Sequence, residues 1–404
     1  MKSVSKILNS NISQQLFYLL VLVLFLRIDL VFENNTPTGG DMGAHIVAID
    51  TFIKDFMPNL QINGWSNDWF GGYPLYYFYF PLPAIITFIF NLIFPFGIAF
   101  KIMVVMSTIL VVYSIEKLMR KTSNQISIYG ATAGLFYVFT ESFTIYGGNL
   151  ASTLAGQFSF AYSLAFANLS IFYLIKSKNN FRFTISSIFL ALCLLSHLIP
   201  FIIYSPIYAF YWLSKKQNLN QRILSIFIFL ALASRWSVSL LMNLEYTTNM
   251  SYTPFSRLDD LIKKDILPII FILIGLLIAK HKNLIKNKTL NLFDLYIVSS
   301  SVLLYFYVPE GALWNGRLVP FFNLGIIFLF FKAVEIFIDD INLYQQGINV
   351  LTGLFLGGTI YCLYIFYEKW STNQSYLNLY IPIIFLIMIF AILNLKNVVV
   401  QLNL

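Results

Sequence analysis

Unbroken apolar runs separated by short polar breaks make up most of this chain. They lie at about 16–32, 76–95, 98–118, 126–146, 157–175, 183–213, 222–243, 265–279, 291–309, 318–334, 346–367 and 377–395. Most approach the roughly 20 residues that a helix needs to cross a bilayer core. A spanning barrel would instead show segments of about 10 residues with apolar and polar positions alternating. Stretches such as 16–26 and 381–393 have no such alternation. The pattern predicts membrane helices, in which every backbone polar group is bonded within its own segment.

Two runs depart from a simple series of crossings. The segment 76–95 is flanked or interrupted by Pro74, Pro81, Pro83 and Pro95. The run 183–213 is too long for one crossing and too short for two full ones. The basic residues resolve both cases. If 76–95 dips into the outer interface without crossing and 183–213 is a hairpin of two short helices, 17 of the 26 Lys and Arg, from Lys2 and Lys6 through Lys332 to Lys396, gather on one side. An excess of Lys and Arg marks the cytoplasmic side. The predicted topology therefore has about 12 crossings and two cytoplasmic termini. The hairpin apex near His197 stops short of the outer surface, where a cavity would open. No small-residue cleavage site closes the first apolar run, so it reads as a retained helix.

Composition agrees with this class. The 404 residues are 58% hydrophobic and 11% charged, with a mean hydropathy of +0.74, which excludes an ordinary soluble domain. The net charge of +8 sits in loops and sets orientation; nothing points to nucleic acid. Cys193 and Cys362 lie in apolar runs without paired spacing and read as packing residues. No internal repeat or soluble linker divides the chain, so 1–404 reads as one all-α membrane domain.

On this topology 11 of the 18 Asp and Glu fall on the outer side, beginning in a long first loop at 33–97. Within that loop, 42–56 places Ile46, Ile49, Ile53 and Phe56 on one face, predicting a short helix along the interface. Asp41 and His45, four apart, share a helical face if that helix begins near Asp41. Asp41 then reads either as a general base or as an N-cap. His45 is either an interfacial polar residue or a contact for a metal or phosphate. Trp65, Trp69 and Tyr73, among glycines and beside Asp68, offer flat surfaces for a sugar ring or an aromatic belt. Glu141 ends a helix at the outer surface, where it could approach Asp41. On another outer loop Arg317 either pairs with Glu310 or grips a phosphate through its planar fork. Arg235, within an apolar helix, calls for a phosphate or carboxylate partner unless it snorkels.

The segments Gly40-Asp41-Met42-Gly43-Ala44-His45, Trp69-Phe70-Gly71-Gly72-Tyr73-Pro74, Phe78-Tyr79-Phe80-Pro81-Leu82, Leu195-Ser196-His197 and Asn315-Gly316-Arg317-Leu318-Val319-Pro320-Phe321 resemble the GT-C superfamily of polyprenyl-phosphate-sugar-dependent glycosyltransferases. The resemblance is stronger to the bacterial membrane proteins labelled 6-pyruvoyl-tetrahydropterin synthase-related, which are similar to arabinofuranosyltransferase-type enzymes. It implies a bacterial plasma-membrane enzyme with its active site on the outer face and juxtamembrane helices in the first outer loop. Asp41 would be the catalytic base. Arg317 or Arg235 would hold the donor phosphate, and His45, Asp68, Glu141, His197 and Glu310 would assist, with a divalent cation as the one conceivable cofactor. The implied partners are a polyprenyl-phosphate sugar donor, a glycan, lipid or protein acceptor, and the bilayer. No Asp-x-Asp or Asp-Asp pair stands in the second outer loop, and no zinc-histidine cluster supports pterin chemistry. The competing readings are a lipid or polysaccharide transporter or flippase, which would carry an inverted repeat and mid-membrane charges, and a non-catalytic scaffold for envelope assembly.

Single cysteines introduced near Asn124 and Lys216 are expected to be protected from an impermeant thiol reagent in intact cells, while one near Asn67 reacts. Equal labelling at Asn124 and Asn67 would overturn the non-crossing assignment of 76–95.

Overall fold

In the computed structural model the described residues are 26–122, 128–140, 145–176, 180–248, 292–308 and 314–339, with isolated positions at 22 and between 258 and 274. The predicted runs at 346–367 and 377–395, most of 16–32 and 265–279, and both chain ends lie outside them. The described architecture is a bundle of apolar helices, as the runs predict. They are α1 (Met42–Thr51), α2 (Leu82–Asn91), α3 (Phe96–Thr122), α4 (Ile128–Val138), α5 (Phe158–Ile175), α6 (Asn180–Ser196), α7 (Leu198–Ser214), α8 (Leu219–Met242), α9 (Leu292–Tyr307) and α10 (Val319–Asp339). A small antiparallel pair, β1 (Gly64–Ser66) and β2 (Tyr73–Leu75), lies in the first loop with Trp65 opposite Pro74.

Helix α5 is the axis of the bundle. It is buried along almost its whole length and packs against α3, α6, α7 and α2. Its small residues Ala161, Ser163, Ala165, Ala167 and Ser170 are all buried, and small side chains let neighbouring helices approach closely in a membrane. Among the described residues, three segments are long and apolar enough to cross a bilayer: Phe96–Met119, Leu150–Ile175 and Leu219–Met242.

The proline-rich run at 76–95 is helical only over the 10 residues of α2, about 15 Å at 1.5 Å per residue, half the thickness of a hydrocarbon core. This short element packs against α3. The 183–213 run is two helices of 17 residues each, broken at His197. Their pairing is antiparallel. Ser186 and Ser187 meet the Tyr208 hydroxyl at 3.0 and 3.2 Å, and Phe183 stacks on Trp212 at 5.8 Å, so partners lie nearly equidistant from His197. Each arm is about 26 Å long, slightly less than a full crossing.

Two expectations change, and one residue left aside above finds its place. The buried stripe of the interfacial helix runs through Met42, Ile49, Phe52 and Phe56, because the helix continues as a π turn over Phe52–Phe56, whose wider spacing brings Phe52 inward in place of Ile53. Lys332, grouped above with loop cations, lies inside α10, where it is fully buried and paired with buried Asp294 of α9. Lys101, at the start of α3, is buried with its ammonium among the carbonyls of Leu30 and Glu33, each at 2.6 Å, and Asn35 Oδ1 at 2.7 Å. Cys193 is buried as expected, within 3.3 Å of the Ser163 hydroxyl; Cys362 is outside the described residues.

Breaking a buried ion pair strands a charge, whereas replacing both partners by apolar groups can be nearly neutral. Lys332→Met is expected to destabilise the protein by about 3–5 kcal/mol, and adding Asp294→Leu to recover most of that loss. Thermal unfolding of the two purified variants in detergent measures both effects.

Candidate functional site

The site is assembled where the first loop docks on the start of α5. Asn149 caps a single helical turn, accepting from the Ser152 amide at 2.8 Å, and the chain then widens into a π turn at Thr153–Gln157. Gly156 there has φ +107°, a region closed to most side chains. The distortion turns the Ala155 carbonyl outward, and it accepts the Asp41 amide at 2.9 Å. Contact is backbone to backbone. A Cβ on Gly40 would run into the Ala155 carbonyl, and one on Gly156 would come within 2.9 Å of Asp41 Cβ and 3.2 Å of His45 Cδ2.

Asp41 occupies the N-cap position of α1, but its side chain makes no cap hydrogen bond. Its Oδ2 instead accepts from Gln157 Nε2 at 3.2 Å. Capping is therefore not what this carboxylate does. One turn later His45 packs edge-on to Phe158 at 4.8 Å and against Tyr79 at 5.5 Å. Burial lowers its pKa from 6.5 to about 4, while the Asp41 carboxylate and a hydrogen bond to the Gly156 backbone act in the opposite direction. His45 is thus neutral at physiological pH.

Tyr79 comes from the irregular segment before α2. Burial of its hydroxyl raises its pKa to about 12, opposed by nearby Ser159 and the Arg317 guanidinium and reinforced by the Asp41 carboxylate. Its ring remains partly accessible. His45, Gln157, His197 and Arg317 are likewise neither buried nor fully exposed, while Asp41 itself is exposed. Arg317, on a 3-10 turn leading into α10, donates to the carbonyls of Ile145 and Tyr146 at 3.3 and 3.1 Å and sits over Trp314 at 5.9 Å. It lies within electrostatic reach of both Tyr79 and His197.

The structure thus brings Asp41, His45, His197 and Arg317 to one end of the bundle. Other predicted residues go elsewhere. Arg235 is exposed on α8 and donates to the Leu60 carbonyl at 2.8 Å, so its partner is backbone and not a carboxylate. Asp68 accepts from the hydroxyls of Ser66, at 2.6 Å, and Thr51, and these bonds, Ser66 first, lower its pKa. They fasten the small hairpin to α1 and make Asp68 a weaker base.

Trp69 and Tyr73 stack on each other at 5.6 Å, and the Trp65 indole lies against Gly72 with 62% of the residue exposed. No hydrogen bond or ring contact joins these three rings to Asp41 or His45 among the described residues. Glu141 and Glu310 lie outside the described residues. The sequence assigned Gln157 and Tyr79 no role; only the π turn and the path of the first loop bring them to Asp41. Among the described residues, no group of three or more His, Cys, Asp or Glu is arranged to hold a metal ion.

The fold has solved counterparts. The crystal structure of ArnT from Cupriavidus metallidurans bound to undecaprenyl phosphate superposes with a TM-score of 0.53 at 10% identity, covering 96% of this chain and 77% of that one. The apo state of ArnT gives 0.51 at 10% identity over 94% and 76%. The likeness is one of fold. It agrees with the expected all-α membrane protein. No family model matches the chain, and no curated protein matches it in sequence.

His45 supplies a pH test of this geometry. A group whose pKa falls on folding binds protons more readily in the unfolded chain, so its contribution is fully present above pH 6.5 and is lost as pH falls through about 4. The wild-type melting temperature is expected to drop between pH 7 and pH 4.5 by more than that of His45→Gln. Parallel curves for the two proteins would place the imidazole in solvent.

Proposed function

We propose that this protein is a membrane glycosyltransferase that moves a sugar from a polyprenyl-phosphate donor to a hydroxyl of a glycan, lipid or protein, on the outer face of a bacterial plasma membrane. The observation that carries the reading is the Asp41 carboxylate. It is held by the docked backbone of Gly40 and Ala155, has no capping role, and reaches the same Tyr79 hydroxyl electrostatically as Arg317 does. The sequence resemblance supports the reaction class, and the undecaprenyl phosphate in the ArnT structure supports the class of donor.

In this mechanism Asp41 accepts the proton of the acceptor hydroxyl as its oxygen bonds to the anomeric carbon. The bond from that carbon to the phosphate oxygen breaks, and the polyprenyl phosphate leaves with the electron pair. Gln157 orients the carboxylate. Arg317 offsets the charge on the departing phosphate. Neutral His45 and Tyr79 shape the acceptor side without adding charge.

Asp41→Asn keeps the size of the side chain and removes the base. The purified variant is expected to fold and to bind a polyprenyl-phosphate sugar, yet to transfer it at least ~100-fold more slowly. Transfer at the wild-type rate would remove Asp41 from the chemistry. Glu141 would then be the next base to test.

A further inference from the structure

The break between α6 and α7 is made by a histidine whose two ring nitrogens have different environments. His197 Nδ1 accepts the Ile199 amide at 3.2 Å, which caps α7. A neutral imidazole has one donor and one acceptor nitrogen, so a capping Nδ1 leaves the proton on Nε2. Nε2 makes no hydrogen bond among the described residues.

The ring cannot readily turn. It stacks on Phe80 at 4.6 Å and meets Phe160 edge-on at 5.3 Å. Its backbone is held as well, because the Ser163 hydroxyl donates to the carbonyls of His197 and Cys193 at 2.8 and 2.9 Å. Arg317 is the cation within electrostatic reach of this imidazole. The result is an N–H donor that needs no charge of its own, held by an aromatic clamp within electrostatic reach of a guanidinium.

We propose that His197 is a second ligand of the donor phosphate, giving the Nε2–H to a phosphate oxygen that Arg317 also neutralises. This rests on the glycosyltransferase reading above and adds to it. Arg317 supplies charge, and His197 supplies direction and discriminates a phosphate oxygen from a bare cation-seeking group. A protonated His197 would lose its cap, so the residue serves as a fixed donor and not as an acid that cycles.

The test uses His197→Asn and His197→Ser. Both residues are good N-caps, so α7 keeps its start while the Nε2–H is removed, and one folded variant suffices. The probe is undecaprenyl phosphate titrated into the full-length protein in nanodiscs, with inorganic phosphate as a parallel ligand and the melting temperature as a control for folding. With the melting temperature held, the variants are expected to bind undecaprenyl phosphate about 10- to 100-fold more weakly, the range for one hydrogen bond to a charged group. Inorganic phosphate is expected to bind the wild type far more weakly than the lipid. Equal binding of both phosphates would identify a free-phosphate site and overturn the donor assignment. If the wild type binds the lipid and both folded variants bind it equally well, His197 is only a cap and the glycosyltransferase reading survives. If the wild type itself fails to bind the lipid, the donor reading falls and this inference with it.

Discussion

One hydrogen bond organises the functional end of this molecule: the Asp41 amide to the Ala155 carbonyl, at 2.9 Å. In a regular helix that carbonyl would be occupied by the amide four residues on. The π turn at Thr153–Gln157 and the left-handed φ of Gly156 release it. A polar backbone group exposed at the edge of an apolar bundle needs a partner, and the first loop provides one. The Gly40 and Gly156 backbones allow the approach, since a side chain at either would collide. Everything chemical follows from this docking, because it places the Asp41 carboxylate beside Gln157 and puts His45 one turn away on Phe158.

The segment 76–81 joins this loop to the rest of the bundle. Trp236 of α8, fully buried, donates its indole N–H to the Tyr79 carbonyl at 2.9 Å, and Phe80 lies against both Trp236 and His197. Through Tyr79 the same rings reach His45, and through Phe80 they reach His197. Lys101 works at the other edge of the loop, where three oxygens hold its ammonium and tie 30–35 to α3. In each case a costly polar group inside an apolar body is satisfied by backbone of the irregular loop, and the loop is thereby ordered.

Much of this architecture can be read in the sequence. Runs of apolar residues, proline punctuation at 74–95 and the 31-residue stretch at 183–213 foretell membrane helices, a short non-spanning element and a broken pair, because bilayer thickness sets helix length. Asp41, His45, His197 and Arg317 stand out because polar and charged groups are rare in such a chain. The separation of Arg317 from Arg235 was not legible. Both flank aromatic residues in or beside apolar helices, and only the packing shows one within electrostatic reach of Tyr79 and His197 and the other exposed on α8 and bonded to Leu60. Asp68, read from the sequence as an assisting acid beside Asp41, is claimed by the hydroxyls of Ser66 and Thr51.

The sequence by itself determined the solvent of this protein, its helical class and the short inventory of groups able to do chemistry. Those follow from composition and local periodicity, which act over a few turns of chain. The tertiary structure alone decided which of those groups meet. A residue 116 positions away orients Asp41, and the contact depends on a π turn that no local propensity marks. The tautomer of His197 is likewise a tertiary outcome, since it depends on where the chain breaks and on which backbone amide the ring then caps.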